Sequence, residues 1–258
     1  MMSGPGNGYP EALRPQLRGS EPGMKRWLAV AGAMAMAVVS LAACSSPPAV
    51  PHTATLAADE RSSATLNVLT GTAALKIGVA DFGASGALLR VSTPTAEPAP
   101  QLREASGPAQ PGQGTVVDLS APGASAVTVT LNAAVSWRLV LGGGTTRTTA
   151  DLRGCSVTGI AFTAGSDVIS LALPRPQGSV PVQLAGGASQ FLLSLPVGVP
   201  ARVTAVGGAG EISLEGQDHV GVAGGSVLTT PSWAPGVAGF DIDATAGAAR
   251  VAITARAS

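Results

Sequence analysis

Side chains that carry chemistry are scarce in this chain. Its 258 residues include two cysteines, two histidines, one tyrosine and three tryptophans, and aromatic residues make up 3%. Zinc needs three or four close ligands, and Cys44, Cys155, His52 and His219 cannot supply them. A serine–histidine–aspartate triad needs an activated serine, and no Gly-x-Ser-x-Gly elbow is present. Neither a phosphate loop nor a dinucleotide fingerprint occurs. Charged residues are 12%, about half the usual share. The formal net charge is zero, so nothing attracts nucleic acid or an anionic membrane surface. The apolar run Trp27 to Ser40 is too short for a comfortable membrane-spanning helix. These absences lead to an expectation of no catalytic residue, no metal site and no cofactor.

What is abundant points to turns and short strands. The chain holds 34 glycines and 20 prolines, and 45% of its residues are hydrophobic. With so few aromatics, the core must be built from Val, Leu, Ile and Ala. From Phe162 to Leu214 the sequence repeats itself: a Gly-rich corner, an alternating run, a Pro/Gly turn and a second alternating run. Ile169, Leu171 and Leu173 share one face, as do Phe191, Leu193 and Leu195, and Ile212 and Leu214. Period two marks a half-buried strand, since successive side chains point to opposite faces. Val180, Val182 and Leu184 repeat the pattern, then Val199, Ala201 and Val203, with Arg202 and Thr204 outward.

The corners align at Gly123, Gly143, Gly165, Gly187, Gly208, Gly225 and Gly247, spaced by 20, 22, 22, 21, 17 and 22 residues. Glycine suits such corners because it reaches positive φ without a Cβ clash. A period of about 20 residues marks a solenoid, in which each unit buries its apolar face on its neighbours. The expected fold is therefore all-β: a β-solenoid or β-helix-like stack of about seven two-strand units, running from about Thr115 to the C-terminus. The alternative is a β-sandwich with evenly spaced strands. Parallel pairing of runs 168–173 and 190–195 distinguishes the two. Leu66 to Val91 and the region of Trp233 are the expected covers for the ends of the stack.

The N-terminal part reads as an address. Residues 1–23 are polar and rich in Gly and Pro, and are expected to be disordered or untranslated; Met1 and Met24 both stand as starts, with Met24 favoured by its position just before the positive residues. Residues 24–43 form a signal peptide: Lys25 and Arg26, then the apolar run, then small residues. Leu41-Ala42-Ala43-Cys44 resembles the lipobox of bacterial lipoprotein signal peptides. This resemblance implies cleavage before Cys44 and diacylglycerol attachment to its thiol. Two acyl chains hold stably where one does not. The mature protein is then expected on the outer face of the cytoplasmic membrane. Residues 44–65 are expected to be a tether, whose flexible part has a reach of roughly 25 Å. The β-repeat domain follows over 66–258, interrupted by a Pro-rich loop at 94–113.

The remaining chemical candidates have simple structural readings. With Cys44 lipidated, Cys155 has no disulfide partner and reads as a small buried apolar side chain. His52 lies in the expected tether, and His219 in an expected polar turn, Gln217-Asp218-His219. Asp241 and Asp243 are two apart, so both carboxylates face one way on a strand. They could hold Ca²⁺, but two solvated aspartates are the simpler reading. Gly207-Gly208-Ala209-Gly210 differs from the calcium-binding nonapeptide repeat, because Ile212 stands where that motif has Asp. Trp233, between Pro231 and Pro235, could stack on a sugar or cover a core edge, while Trp137 reads as core.

Gly186-Gly187-Ala188-Ser189 with Leu195-Pro196-Val197-Gly198-Val199-Pro200 resembles a group of actinobacterial envelope proteins, similar to adhesin and cell-wall stress-response β-domains. The resemblance implies a solenoid-like fold and an envelope role, and carries over no catalytic residue. The expected function is that of a non-enzymatic, membrane-anchored lipoprotein that binds or senses a cell-wall polymer or an envelope protein. A hydrolase acting on an envelope substrate is the alternative.

Overall fold

The computed structural model describes residues 50–105 and 114–257. The expected signal peptide, residues 24–43, and the expected lipidation residue Cys44 lie outside the described residues. The described chain forms nineteen strands in two sheets, of ten and nine strands. In chain order they are β1 (His52–Ala57), β2 (Ser63–Val68), β3 (Thr72–Ala80), β4 (Ala87–Thr93), β5 (Gln101–Glu104), β6 (Thr115–Ser120), β7 (Ala126–Asn132), β8 (Ser136–Leu141), β9 (Thr145–Asp151) and β10 (Ser156–Phe162). There follow β11 (Ser166–Ala172), β12 (Ser179–Leu184), β13 (Ala188–Pro196), β14 (Ala201–Ala205), β15 (Ala209–Leu214), β16 (Gln217–Val222), β17 (Ser226–Thr229), β18 (Gly239–Ala244) and β19 (Ala248–Arg256).

Seven coils carry the architecture. Each places one strand in the nine-stranded sheet, turns a Gly-rich corner, and places the next in the ten-stranded sheet. The pairs are β2–β3, β6–β7, β8–β9, β10–β11, β12–β13, β14–β15 and β18–β19, all stacked in parallel. Runs 168–173 and 190–195 meet the deciding condition: Ile169 lies beside Phe191 and Leu171 beside Leu193, in parallel register. The two facing sheets are thus the two walls of a coiled stack, a two-sheet layering like that of a sandwich with the strand pairing expected of the solenoid.

The core lies between those walls, where the alternation aligns like residues layer on layer. Val117, Leu66, Leu139, Ile160, Val182, Ile242 and Val203 form one continuous inward row. Opposite it run Val129, Ile77, Ala150, Leu171, Leu193, Ile253 and Leu214. Phe162 and Phe191 meet edge to face at 5.9 Å, a favourable aromatic geometry. Trp137 is fully buried and its Nε1 donates to the Asn132 carbonyl at 3.0 Å. The buried Asn132 side chain in turn donates to the carbonyls of Gly83 and Ala87, so no polar atom of this pair is left bare.

Several expectations need correction. The corner of the first coil is Gly71, so one of the seven units precedes Thr115. Gly225 is no coil corner; it lies between the antiparallel cap strands β16 and β17. The stretch Leu66 to Val91 is not a cover as a whole, because β2–β3 sits inside the stack. The covers are β4, β1 and β5 at one end and β16 and β17 at the other. The expected tether 44–65 contains β1 and the start of β2, and β5 falls within the expected loop 94–113.

The corner glycines are also glycines for two different reasons. Gly187 has a φ of 73°, as expected for a tight left-handed turn. Gly143, by contrast, is pressed on the neighbouring coil: a Cβ there would lie 2.0 Å from the Thr70 carbonyl oxygen.

Candidate functional site

The chemical candidates do not converge. His52 lies on β1 and His219 on β16, the two opposite edge strands of the ten-stranded sheet. His52 is therefore not in a tether; its Nε2 sits 3.1 Å from the Thr95 carbonyl oxygen. Nor is His219 in a turn. The turn is Glu215-Gly216, both at positive φ, as a tight two-residue hairpin requires. Cys155 is buried, with its Sγ 3.5 Å from the Leu152 carbonyl. Burial pushes its thiol up to about 12, with the Asp151 charge adding to the effect. That makes it an apolar core residue and a poor nucleophile.

Asp241 and Asp243 do share the outer face of β18, as their spacing indicates. Their neighbour is what the spacing could not give. β18 stacks directly on β14, so Arg202 lies opposite Asp241. The guanidinium grips the carboxylate with both nitrogens, Nε donating to Oδ1 at 2.7 Å and Nη2 to Oδ2. This hydrogen bonding raises the Arg202 pKa, and the charges of Asp241 and then Asp243 add to it. The Arg202 guanidinium carbon also lies 5.4 Å from the Trp233 ring centroid, a cation–π distance.

Trp233 is held there by the chain between β17 and β18. Its backbone N–H donates to the Thr230 carbonyl at 3.0 Å. Thr230 is buried, and its hydroxyl accepts from the Ala201 backbone N–H at 3.0 Å. The loop is thereby fastened to the first residue of β14. Between loop and sheet lies a cleft of about 290 Å³, lined by Ser179, Arg202, Trp233, Gly236, Phe240 and Asp241 among others. A second concavity lies on the other sheet, around Lys76, Gly78, Thr149, Asp151 and Arg153. A Cβ at Gly78 would meet open space there, and the Asp151–Arg153 ion pair lines the concavity.

Among the described residues no group of three or more His, Cys, Asp or Glu side chains could hold a metal ion. No helix of the described residues is long and apolar enough to cross a membrane.

No protein-family model matches the chain, and no curated protein does. A solved structure is similar: a putative cell adhesion protein from Clostridium sporogenes ATCC 15579, with a TM-score of 0.56 and 17% sequence identity. The match covers 79% of this chain and 100% of that one. At that identity the likeness is one of fold.

Proposed function

We propose that the protein is a non-enzymatic, lipid-anchored binding protein of the cell envelope. The observation that carries this reading is the dispersal of the chemical candidates, with His52 and His219 on opposite edge strands and Cys155 buried in the core. Every resolved shift moves a group away from neutrality. Hydrogen bonds from Ser125 hold the Glu97 carboxyl down, and hydrogen bonds from Arg153 hold down that of Asp151. Arg153 and Arg202 are raised by their carboxylate partners, and Cys155 is raised by burial. Acid–base catalysis wants the opposite, groups poised near the working pH. Ion pairs of this kind hold a surface in shape, which serves binding.

The anchor follows from the order of charge, apolar run and Leu41-Ala42-Ala43-Cys44. With β1 beginning at His52, only Ser45 to Pro51 separate the lipidated residue from the first strand, so the domain stays close to the headgroups. A cell-wall polymer or an envelope protein is then the partner within reach. The fold of the adhesion-named neighbour agrees with a binding role. The test is to incubate the full chain with purified wall material. Co-sedimentation without release of soluble fragments is expected. Release that disappears in His219→Ala or Asp241→Ala would establish the hydrolase instead.

A further inference from the structure

We infer that the cleft beneath Trp233 is a binding site for one neutral sugar unit of an envelope glycan. The inference rests on the binding role proposed above and gives it a place and a ligand class. The two described tryptophans differ in a telling way. Trp137 is fully buried and its indole N–H is satisfied inside the core. Trp233 is half-buried, and among the described residues its indole N–H meets no acceptor. An indole with an apolar body and an unused donor at the rim of a cleft is suited to a ligand that is apolar on one face and hydroxylated at its edge. A pyranose ring is such a ligand.

Size and charge narrow the class. The volume of about 290 Å³ lies at the small end for ligand clefts, so it takes one ring and not a long segment. In the lining of the cleft the charge of Arg202 is matched by that of Asp241, and Asp243 adds a negative charge further along β18. No net positive charge is left there to attract phosphate, sulfate or uronate groups. A cationic ligand finds its natural seats already taken, since Arg202 occupies both the Asp241 carboxylate and the cation position on the indole. A neutral ring can be held through its hydroxyls and by the part of the half-buried indole that Arg202 leaves uncovered. The free lone pairs of Asp241, the Ser179 hydroxyl and the indole N–H can meet its hydroxyls. The bidentate Arg202 clamp fixes the Asp241 carboxylate plane in advance, which lowers the ordering cost of binding.

The test uses the full chain in detergent, with neutral methyl hexopyranosides as probes and methyl glucuronoside as the anionic comparison. Saturation-transfer NMR and tryptophan fluorescence are read together at millimolar ligand. A saturable signal for at least one neutral glycoside and none for the uronoside is expected. Trp233→Ala should weaken binding about tenfold or more, as for a central aromatic contact. Trp233→Phe, which keeps an aromatic face, should retain part of it and guards against misfolding of the alanine variant. Asp151→Asn, on the other sheet, should leave it unchanged. Absence of saturation with every neutral glycoside, or saturation that survives Trp233→Ala, would overturn the site. New anomeric signals from a disaccharide probe would leave the site standing and overturn the non-catalytic role.

Discussion

At the scale of single residues, position within the coil decides what a substitution costs. Leu193 is 1% exposed and lies between Leu171 and Ile253 in the inward row. Leu193→Ala should lower stability by about 2–5 kcal/mol in urea melts, because a cavity there has stacked neighbours that cannot collapse into it. Gln190, three residues away and outward, should stay within about 0.5 kcal/mol on change to Ala. Cys155, with its thiol pushed up to about 12, should resist alkylation at pH 8 in the native protein and react once unfolded. Asp151 titrates below its ordinary value, chiefly through its hydrogen bonds from Arg153. Its contribution to stability is therefore present above the unfolded carboxylate pKa and is lost as pH falls through the lower folded one. Arg153→Ala should narrow the difference in thermal stability between pH 6 and acid pH below about 4. The alternating Val, Leu and Ile positions were legible because period two leaves its mark directly in the sequence. Arg202 as the partner of Asp241 was not, because contact across a stack depends on which coil is the neighbour.

At the scale of strands, the legible elements are those whose inward residues are apolar. β9 reads TTRTTAD and shows no such alternation, yet it lies between β3 and β11. Its inward Thr148 is buried and shares a 2.7 Å hydrogen bond with the Thr145 hydroxyl, which also meets Ser166 Oγ at 2.6 Å. Hydroxyls that satisfy each other can stand where leucine would, and only the corner glycines before it, at 142–144, betray the strand. Pro181 makes a similar point in β12, an interior strand. The β10–β12 ladder begins at Ile160–Val182, after the bulge between Val157 and Gly159, so the missing proline N–H costs no ladder bond there. The corners should be equally unforgiving. A Cβ on Gly186 would lie 2.1 Å from the Ala164 carbonyl carbon, so Gly186→Val should unfold the β10–β13 region in hydrogen-exchange measurements. Native-like protection in that variant would show that the corner yields.

At the scale of the whole fold, the order of coils in space departs from their order in sequence at both ends. β2–β3 lies between β6–β7 and β8–β9, and β18–β19 lies between β12–β13 and β14–β15. A period read from the sequence cannot reveal this, since inserting a coil leaves every local signal unchanged. For the same reason neither the covers of the stack nor the place of Gly225 between the cap strands can be read from the period. The arrangement brings the Trp233 loop and β18 onto β14, and so assembles the cleft from segments far apart in the chain. The proposed anchor at Cys44 is motivated by the sequence of residues 24–44. The most direct test is the intact mass of the protein extracted from membranes of the cells that make it. A mature chain that begins at Cys44 and carries a diacylglycerol there is expected, with Cys44→Ser accumulating as an unlipidated precursor. A mature N-terminus elsewhere, or a Cys44 without acyl mass, would contradict it.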